Sequence, residues 1–436
     1  MAGKSRISIK GATLMALSAV IGSTIFVITG VPLYFAGYLA LPLFIIVGIL
    51  SLFFALEFGE LSSDMPNEKG AIYSYVNRSF GSELGLITGV LLYTAYCSTI
   101  AAISLSFGSY IASLLGFASA ALLLSVLLII GIAAVSLSGI KNSIGINYML
   151  VIFTLGVIAL FVIYAFAKGM GRFPIANFSN SQQQNGIGSL FEASTIMVFA
   201  FAGFQTITSF TKDIYDKGRG AAKAMVSAVA IGIAAYVLVS FSLILLVPAS
   251  AFGTSANPLL FALESSGAPP PLMDTVSIGA AVAIAAAVLV ITITASRLVY
   301  QMSKDGLLPT FFMSYEKRRD IAKNGIITTA AASLLLLFSG NVYIIASISN
   351  FGLIFSWLMA SFTLVSRRRL GRRPDFMAPF YPILPVVAIF AALLFMVGMP
   401  QESLTIGIIM ILLLIITYYF IVEFKQRRVP RLRLFK

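Results

Sequence analysis

The residue types that do most enzyme chemistry are almost missing from this chain. Its 436 residues include no histidine and a single cysteine, Cys97. Ser-His-Asp and Cys-His nucleophiles are therefore excluded, as are a Cys/His metal cluster and an intrachain disulfide. What remains are polar groups set inside apolar stretches. Glu57 and Glu60 lie one turn apart in "SLFFALEFGELSS" (Ser51–Ser63). Thr292, Thr294 and Ser296 supply hydroxyls in "ITITAS" (Ile291–Ser296). A third group, Gly22-Ser23-Thr24, interrupts "SAVIGSTIFVITG" (Ser18–Gly30).

Each group has two readings. An ionisable side chain inside an apolar span is functional by default. Glu57 either carries a proton, or pairs with Glu60 against inner-face arginines such as Arg297 and holds an inner gate. Thr292 and Ser296 share a helix face at i and i+4. Their oxygens suit a hard cation such as sodium, or they bond their own helix carbonyls. The Gly-Ser-Thr run either lets two helices pack closely or breaks a helix, freeing backbone groups that lipid cannot satisfy.

The elements that must position these groups are transmembrane helices. The chain is 59% hydrophobic and 10% charged, where a soluble domain holds about 45–50% and roughly 25%. Mean hydropathy is +0.99. Apolar runs of about 20 residues recur along the whole chain, twice the length of a barrel strand. They predict an all-α membrane protein with about twelve spans: 11–36, 39–64, 84–115, 119–138, 144–167, 188–214, 218–247, 272–302, 325–341, 344–366, 380–399 and 403–423. No cleavage site follows Lys4, Arg6 and Lys10, so the first span reads as retained. A tight turn at Gly340-Asn341 separates the ninth and tenth spans.

Of the 29 Lys and Arg residues, all but Lys168 and Arg172 fall on the side that also holds both termini. The positive-inside rule then makes both termini cytoplasmic. It also accounts for the net charge of +13 without nucleic acid. The basic loop "RRRLGRR" (367–373) and the tail from Lys425 are suited to anionic lipid headgroups. The "NSQQQNG" stretch (Asn180–Gly186) reads as an exposed linker.

The sixth span, "FEASTIMVFAFAGFQTITSFTKDI" (Phe191–Ile214), carries its own small-residue run, Ala200–Gly203. The first and sixth spans open two halves of five spans each. Interruptions at matching positions in two halves are the best sequence pointer to a transporter site near the bilayer midplane. Half-helix N-termini there attract a carboxylate, and C-termini attract a cation.

Four motifs, in the family's order along the chain, resemble the amino acid–polyamine–organocation (APC) superfamily of transporters. They are "ELSSDMPNEKGAIYSYVNRSFG" (Glu60–Gly81), "FAFAGFQ" (Phe199–Gln205), "SRLVYQMSKDGLLPTFF" (Ser296–Phe312) and "RRRLGRRPDFMAPFYPILP" (Arg367–Pro385). The resemblance implies two inverted five-helix repeats, as in LeuT-like transporters, with broken first and sixth helices and two further C-terminal helices. The expected organisation is an N-terminus at 1–10, repeats at 11–167 and 188–366, and an extracellular loop at 168–187. A basic loop at 367–379, two last spans at 380–423 and a tail at 424–436 complete it.

It implies no enzyme activity and no cofactor. The expected function is secondary transport of an amino acid across the plasma membrane, coupled to a proton or sodium. Ile21, Gly22, Ser23 and Thr24 would meet the carboxylate, and Ala200, Phe201, Ala202 and Gly203 would line the second break. Phe199 or Phe204 would form a lid. Tyr93, Tyr96 and Trp357 would shape the side-chain pocket, or simply pack.

Three departures stand out. Thr24 replaces the family's third small residue, adding a hydroxyl that either donates to the substrate or narrows the site. Gln205 replaces an acid and cannot exchange a proton. The fifth-span lysine of some members is absent, its position falling near Thr154. No acid lies at binding depth in the sixth, eighth or tenth spans, which favours neutral amino acids over polyamines or basic ones. An exchanger and a non-transporting nutrient sensor are the other readings. Oligomeric state has no signature.

Overall fold

The hydrophobic runs emerge as helices whose outward faces stay apolar. A computed structural model describes residues 7–22, 24–169, 186–253, 257–339 and 342–428. Among them are sixteen α-helices: α1 (Ile9–Ile21), α2 (Thr24–Val27), α3 (Gly30–Ala36), α4 (Ala40–Asp64), α5 (Ile72–Phe80), α6 (Ser82–Leu115), α7 (Ala121–Leu137), α8 (Ile140–Gly169), α9 (Ile187–Phe201), α10 (Lys217–Leu246), α11 (Pro258–Ser265), α12 (Pro270–Lys304), α13 (Lys323–Phe338), α14 (Val342–Arg369), α15 (Ile383–Val397) and α16 (Gln401–Arg428). Among the described residues nine helical stretches are long and apolar enough to cross a membrane, and α7, α13 and α15 are shorter apolar helices. The chain is a multi-pass membrane protein. Ser23, the Gly340-Asn341 turn and nearly all of the linker at 180–186 lie outside the described residues.

Burial sorts the helices into layers. The most apolar windows of α6 and α12 are each 83% buried, whereas that of α16 is 11% buried. Helices α6 and α12 therefore form the centre, and α16 faces lipid on most of its surface. Leu335, Met149 and Phe420 project outward where a soluble protein would place polar groups.

Two helices are interrupted at mid-length. Helix α1 starts at Ser8, whose hydroxyl accepts from the Gly11 amide at 3.0 Å. It ends at Ile21, and the chain resumes at Thr24 as α2. Helix α9 ends at Phe201, and the chain continues from Phe204 to Asp213 as a 3₁₀ helix rather than an α-helix. The hydroxyls explain that tightening: Thr206, Thr208 and Thr211 donate to the carbonyls of Gly203, Gln205 and Thr208, each three residues back. Such i−3 bonds follow the 3₁₀ spacing. The two breaks cross, with Gly203 against the backbone of Ala19. A Cβ on Gly203 would lie 2.5 Å from the Ala19 oxygen, and its φ of +124° favours glycine.

The end of the bundle that carries the N-terminus is tied by backbone and charge. Ile7 forms a parallel bridge with Ile214, its amide donating to the Asp213 carbonyl at 2.8 Å. Around it gather the ends of α4, α12 and α14.

Candidate functional site

The interrupted helices leave backbone groups without helical partners, and satisfying them builds the site. Both α1 and α9 end at the crossing, where side-chain hydroxyls meet their last carbonyls. Thr24 Oγ1 lies 2.7 Å from the Val20 carbonyl and 3.2 Å from that of Ala200. The Tyr236 hydroxyl, from α10, lies 2.6 Å and 2.8 Å from the same two carbonyls and touches Thr24 Oγ1. The Tyr236 ring is held by stacking on Phe44 and by the edge of Phe201. Tyr110 acts likewise on the first break, donating to the Phe26 carbonyl at 2.6 Å. On the donor side, Gln205 Oε1 accepts from the Gly203 amide at 2.8 Å. Gln205 thus caps a freed N–H, a task its neutral carbonyl performs without a buried charge.

A small cavity opens against this crossing. Its walls include Ala19 and Thr24 from the first break, Phe199, Ala202, Gly203, Gln205 and Thr206 from the second, and Tyr96 and Thr99 from α6. Ile291 and Leu353 close it with apolar surface. Among the described residues no ionised side chain lines it. Thr99 is engaged by Ser349 at 2.6 Å, but the buried Tyr96 hydroxyl has no partner among the described residues. An unpaired buried hydroxyl is costly, so a bound solute would gain from pairing with it.

A second small cavity lies on the other side of α1. Ser18, Ile21, Gly22, Thr154 and Ala286 line it. Beside it the Asn147 amide donates to Ser18 Oγ at 3.1 Å and to the Ala286 carbonyl at 2.9 Å, tying α1 to α12.

The expected residues separate accordingly. Thr24, Tyr96, Phe199, Ala202 and Gly203 come together on the first cavity. Ala200 contributes its carbonyl to the Thr24–Tyr236 cluster instead of a wall. Ile21 and Gly22 face the second cavity, a correction with a simple cause. The helix continues to Gly22, whose amide bonds the Ser18 carbonyl at 2.9 Å, so Gly22 shares the face of Ser18 and leaves Ala19 facing the first cavity. Ser23 lies outside the described residues. Phe201 packs against Phe44 and Tyr236, behind the cavity. Phe204 is also removed from it, buried against Phe58 and Trp357, so that of the two lid candidates Phe199 is the one on the cavity. Trp357 joins that cluster through Phe54 and Phe58 and does not reach the cavity. Tyr93 turns toward α13, 3.4 Å from Thr329 Oγ1.

The sodium reading of Thr292 and Ser296 also changes. The stretch of α12 beside Gly22 is Ala283–Ala286. Thr292 lies six residues further, about 9 Å along the axis. Ser296 packs on Gly325 of α13 and gives its hydroxyl to the Ile293 carbonyl at 2.7 Å. Thr154 does border the first break, across the second cavity, but as a neutral hydroxyl bonded to the Leu150 carbonyl at 2.9 Å.

The expected pairing of Glu57 and Glu60 with Arg297 is replaced by another. Glu60 is held by Arg368, at 2.5 Å and 2.7 Å, and accepts the Ala378 amide at 2.7 Å. Arg367 pairs with Asp64 at 2.5 Å. Arg297 reaches the Ser209 carbonyl at 2.7 Å and Asp213 at 3.2 Å, with Asp320 at 3.6 Å and the Phe210 ring beneath it. Among the described residues Glu57 receives only the Ser361 hydroxyl, at 2.5 Å, and its Oε1 is buried without a partner. Position along the helix decides this: Glu57 and Glu60, three residues apart on one face of α4, meet residues of α14 seven apart, about two turns.

Tyr236, Asn147 and Arg368 were not singled out by sequence. A weak signal existed: a lone tyrosine in "IAAYVLVSF" (Ile233–Phe241) and a lone asparagine in "GINYMLVIF" (Gly145–Phe153) are polar groups in apolar helices.

Apolar helices interrupted at mid-length around a small neutral cavity define a membrane transporter. The chain matches the amino acid permease family model over residues 7–422 and belongs to that family. It is 28% identical to a methylthioribose transporter of Bacillus subtilis, over 89% of this chain and 87% of that protein. It is 23% identical to the branched-chain amino acid permease BcaP of the same organism, over 93% and 90%. A serine/threonine exchanger, SteT, also of Bacillus subtilis, is 24% identical over 88% and 89%. These are transporters, not enzymes, and a small-molecule substrate follows from the family.

Proposed function

We propose that this protein is a secondary active transporter of neutral amino acids, working by alternating access between two inverted five-helix repeats with both termini cytoplasmic. The single observation that carries the reading is the first cavity, walled by both interrupted helices and free of ionised side chains. A zwitterion needs an acceptor set and a donor set but no counter-charge on its side chain. Backbone ends of the two breaks supply both. Phe199, Ile291 and Leu353 favour an apolar or small side chain. The permease and exchanger relatives support the same class.

Coupling falls to a proton on Glu57 in this reading. Among the described residues no Lys or Arg pairs with it. Glu57→Gln is expected to abolish uptake driven by a pH gradient while retaining substrate exchange. Unchanged gradient-driven uptake rejects that assignment.

A second reading has its own observation. The Val20 and Ala200 carbonyls, natural acceptors for an ammonium, already hold two hydroxyls. This favours an uncharged hydroxylated solute, in keeping with the methylthioribose relative. Proteoliposome uptake of an amino-acid panel and of methylthioribose, with proton and sodium gradients imposed separately, decides. Uptake or exchange of a neutral amino acid is expected. Uptake of methylthioribose alone selects the second reading, and movement of neither overturns both.

A further inference from the structure

We propose that the loop joining α14 to α15 is a binding site for the headgroup phosphate of an anionic membrane lipid, whose acyl chains lie along α15. Such a site is independent of any transported solute. Charge gathers at this loop. Arg369, Arg372 and Arg373 are exposed, and none of the three is in an ion pair among the described residues. Arg367 and Arg368, just before them, are already held by Asp64 and Glu60. The first turns of α10 add Arg219 and Lys223, which are exposed and share a face at i and i+4. The two segments touch. Arg219 Nε donates to the Asp375 carbonyl at 2.9 Å, and both Ala222 and the Phe376 ring lie against Gly59 of α4. Five cations thus gather at one loop, with Asp216 and Asp375 as the acids beside them.

What covers this cluster follows from the helices on either side. The exposed residues of α15, Ile383, Val386, Phe390, Leu393 and Val397, recur at helical spacing and face lipid. On α10, Lys223 heads a similar strip that continues through Ile231 and Leu238. Both helices pack on α4. The cations therefore stand where two lipid-facing strips reach the water-facing end of the bundle, at the level of the headgroups. Phe380 stands there too. It is 73% exposed, and its φ of +60° is one that a bulky side chain rarely adopts. The backbone two residues earlier is fixed from both sides: the Ala378 amide donates to Glu60 at 2.7 Å, and the Ala378 carbonyl accepts from Arg368 at 2.9 Å. A strained backbone that exposes a phenyl ring gains nothing toward water, but it suits an anchor at the acyl boundary beside a headgroup. Topology requires positive charge on this side of the membrane. It does not require that charge to converge on an exposed aromatic ring. A free phosphate would pair with the arginines but gain nothing from Phe380 or from the α15 strip.

Native mass spectrometry of the full-length protein, released from membranes of equal phosphatidylglycerol and phosphatidylcholine content, tests this. The parent is expected to retain phosphatidylglycerol about tenfold over phosphatidylcholine, and Arg372→Gln/Arg373→Gln to lower that preference below about threefold. Lys317→Gln/Arg318→Gln removes two exposed charges from another loop on the same side. It is expected to leave the preference within about twofold of the parent. Phe380→Ser, which keeps every charge, is expected to lower phosphatidylglycerol retention about threefold. Added inorganic phosphate is expected to displace none of the lipid.

Equal retention of the two lipids by the parent would overturn the site and leave the cluster to a soluble partner. A loss in Lys317→Gln/Arg318→Gln as large as in the arginine variant would overturn it too, since surface charge alone would then account for the preference. Displacement by inorganic phosphate, or parent-like retention in Phe380→Ser, would mark a free-anion site instead of a lipid site. The melting temperature of each variant in phosphatidylcholine nanodiscs separates lost binding from lost folding and is expected to match the parent. If the double arginine variant melts lower, Arg372→Ala and Arg373→Ala singly decide, each expected to lower the preference about threefold. Parent-like preference in both singles would overturn the site.

Discussion

The crossing of the two breaks and the N-terminal face of the bundle are held by opposite chemistry. At the crossing, neutral hydroxyls satisfy backbone carbonyls, and Gln205 satisfies a backbone amide. At the N-terminal face, ion pairs do the holding: Arg368–Glu60, Arg367–Asp64, Arg297–Asp213 and Lys69–Asp320. The difference follows from the surroundings. Burying an isolated charge at mid-membrane depth carries a large desolvation penalty, whereas a hydroxyl bonded to a carbonyl carries little. Near the water-facing end the penalty is smaller, and ion pairs can break and re-form as the helices move. The crossing is thus suited to fixed geometry and the face to gating.

The largest effect is expected at the crossing itself. Gly203→Ala places a Cβ 2.5 Å from the Ala19 oxygen at a φ of +124°. Strain and overlap together are expected to cost about 2–6 kcal/mol. Monodisperse yield and thermal unfolding of the variant in detergent check this. Parent-like unfolding would mean the breaks do not touch as described.

Next comes the charge at the face. Arg368→Ala leaves Glu60 buried and unpaired, with an expected loss of about 3–5 kcal/mol. A double-mutant cycle with Glu60→Gln should show strong coupling, the pair losing far less than the sum of the singles. Additive losses would deny the pairing.

Glu57→Gln sharpens the contrast within one helix. Its carboxyl has a serine for a partner rather than an arginine. An amide of the same shape is expected to change stability by no more than about 1 kcal/mol. Unfolding of Glu57→Gln and Glu60→Gln side by side tests whether three residues separate a neutral site from an ionic one.

The smallest effect concerns Lys69, in the segment between α4 and α5. Burial, and then the Arg297 guanidinium, push its ammonium down to about 8 from the usual 10.5, with Asp320 opposing. Between those values the folded chain binds fewer protons than the unfolded one, so this group makes stability rise with pH across that window. Below about pH 8 the penalty of burying its charge is fully present. Lys69→Met is expected to remove the rise, read as a flatter melting temperature between pH 8 and 10. An unchanged slope would exclude Lys69 as its source.

Much of the architecture was legible in the residues. Helix existence came from runs of about twenty apolar residues, because lipid tolerates no other unpaired backbone. The interruptions came from small residues at Gly22 and at Ala200–Gly203, a local property of composition. The lower half of the sixth span was misjudged as α-helical, since the three threonines that tighten it bond within the turn and leave hydropathy unchanged. Gln205 was legible as unable to exchange a proton, but its task as an amide cap required the fold of the break.

The sequence by itself determined that this is a helical membrane protein, because composition and run length are additive properties, and its motifs pointed to a transporter family. Only the tertiary structure decided that Ile21 and Gly22 face away from the cavity that Thr24 lines. It alone decided that Arg368 rather than Arg297 takes Glu60, and that Tyr236 closes the crossing. Those outcomes depend on how each helix is rotated against neighbours far away in the chain, and a helix rotates by 100° for every residue of register. No local pattern encodes that angle, which is set by the packing of all the helices at once.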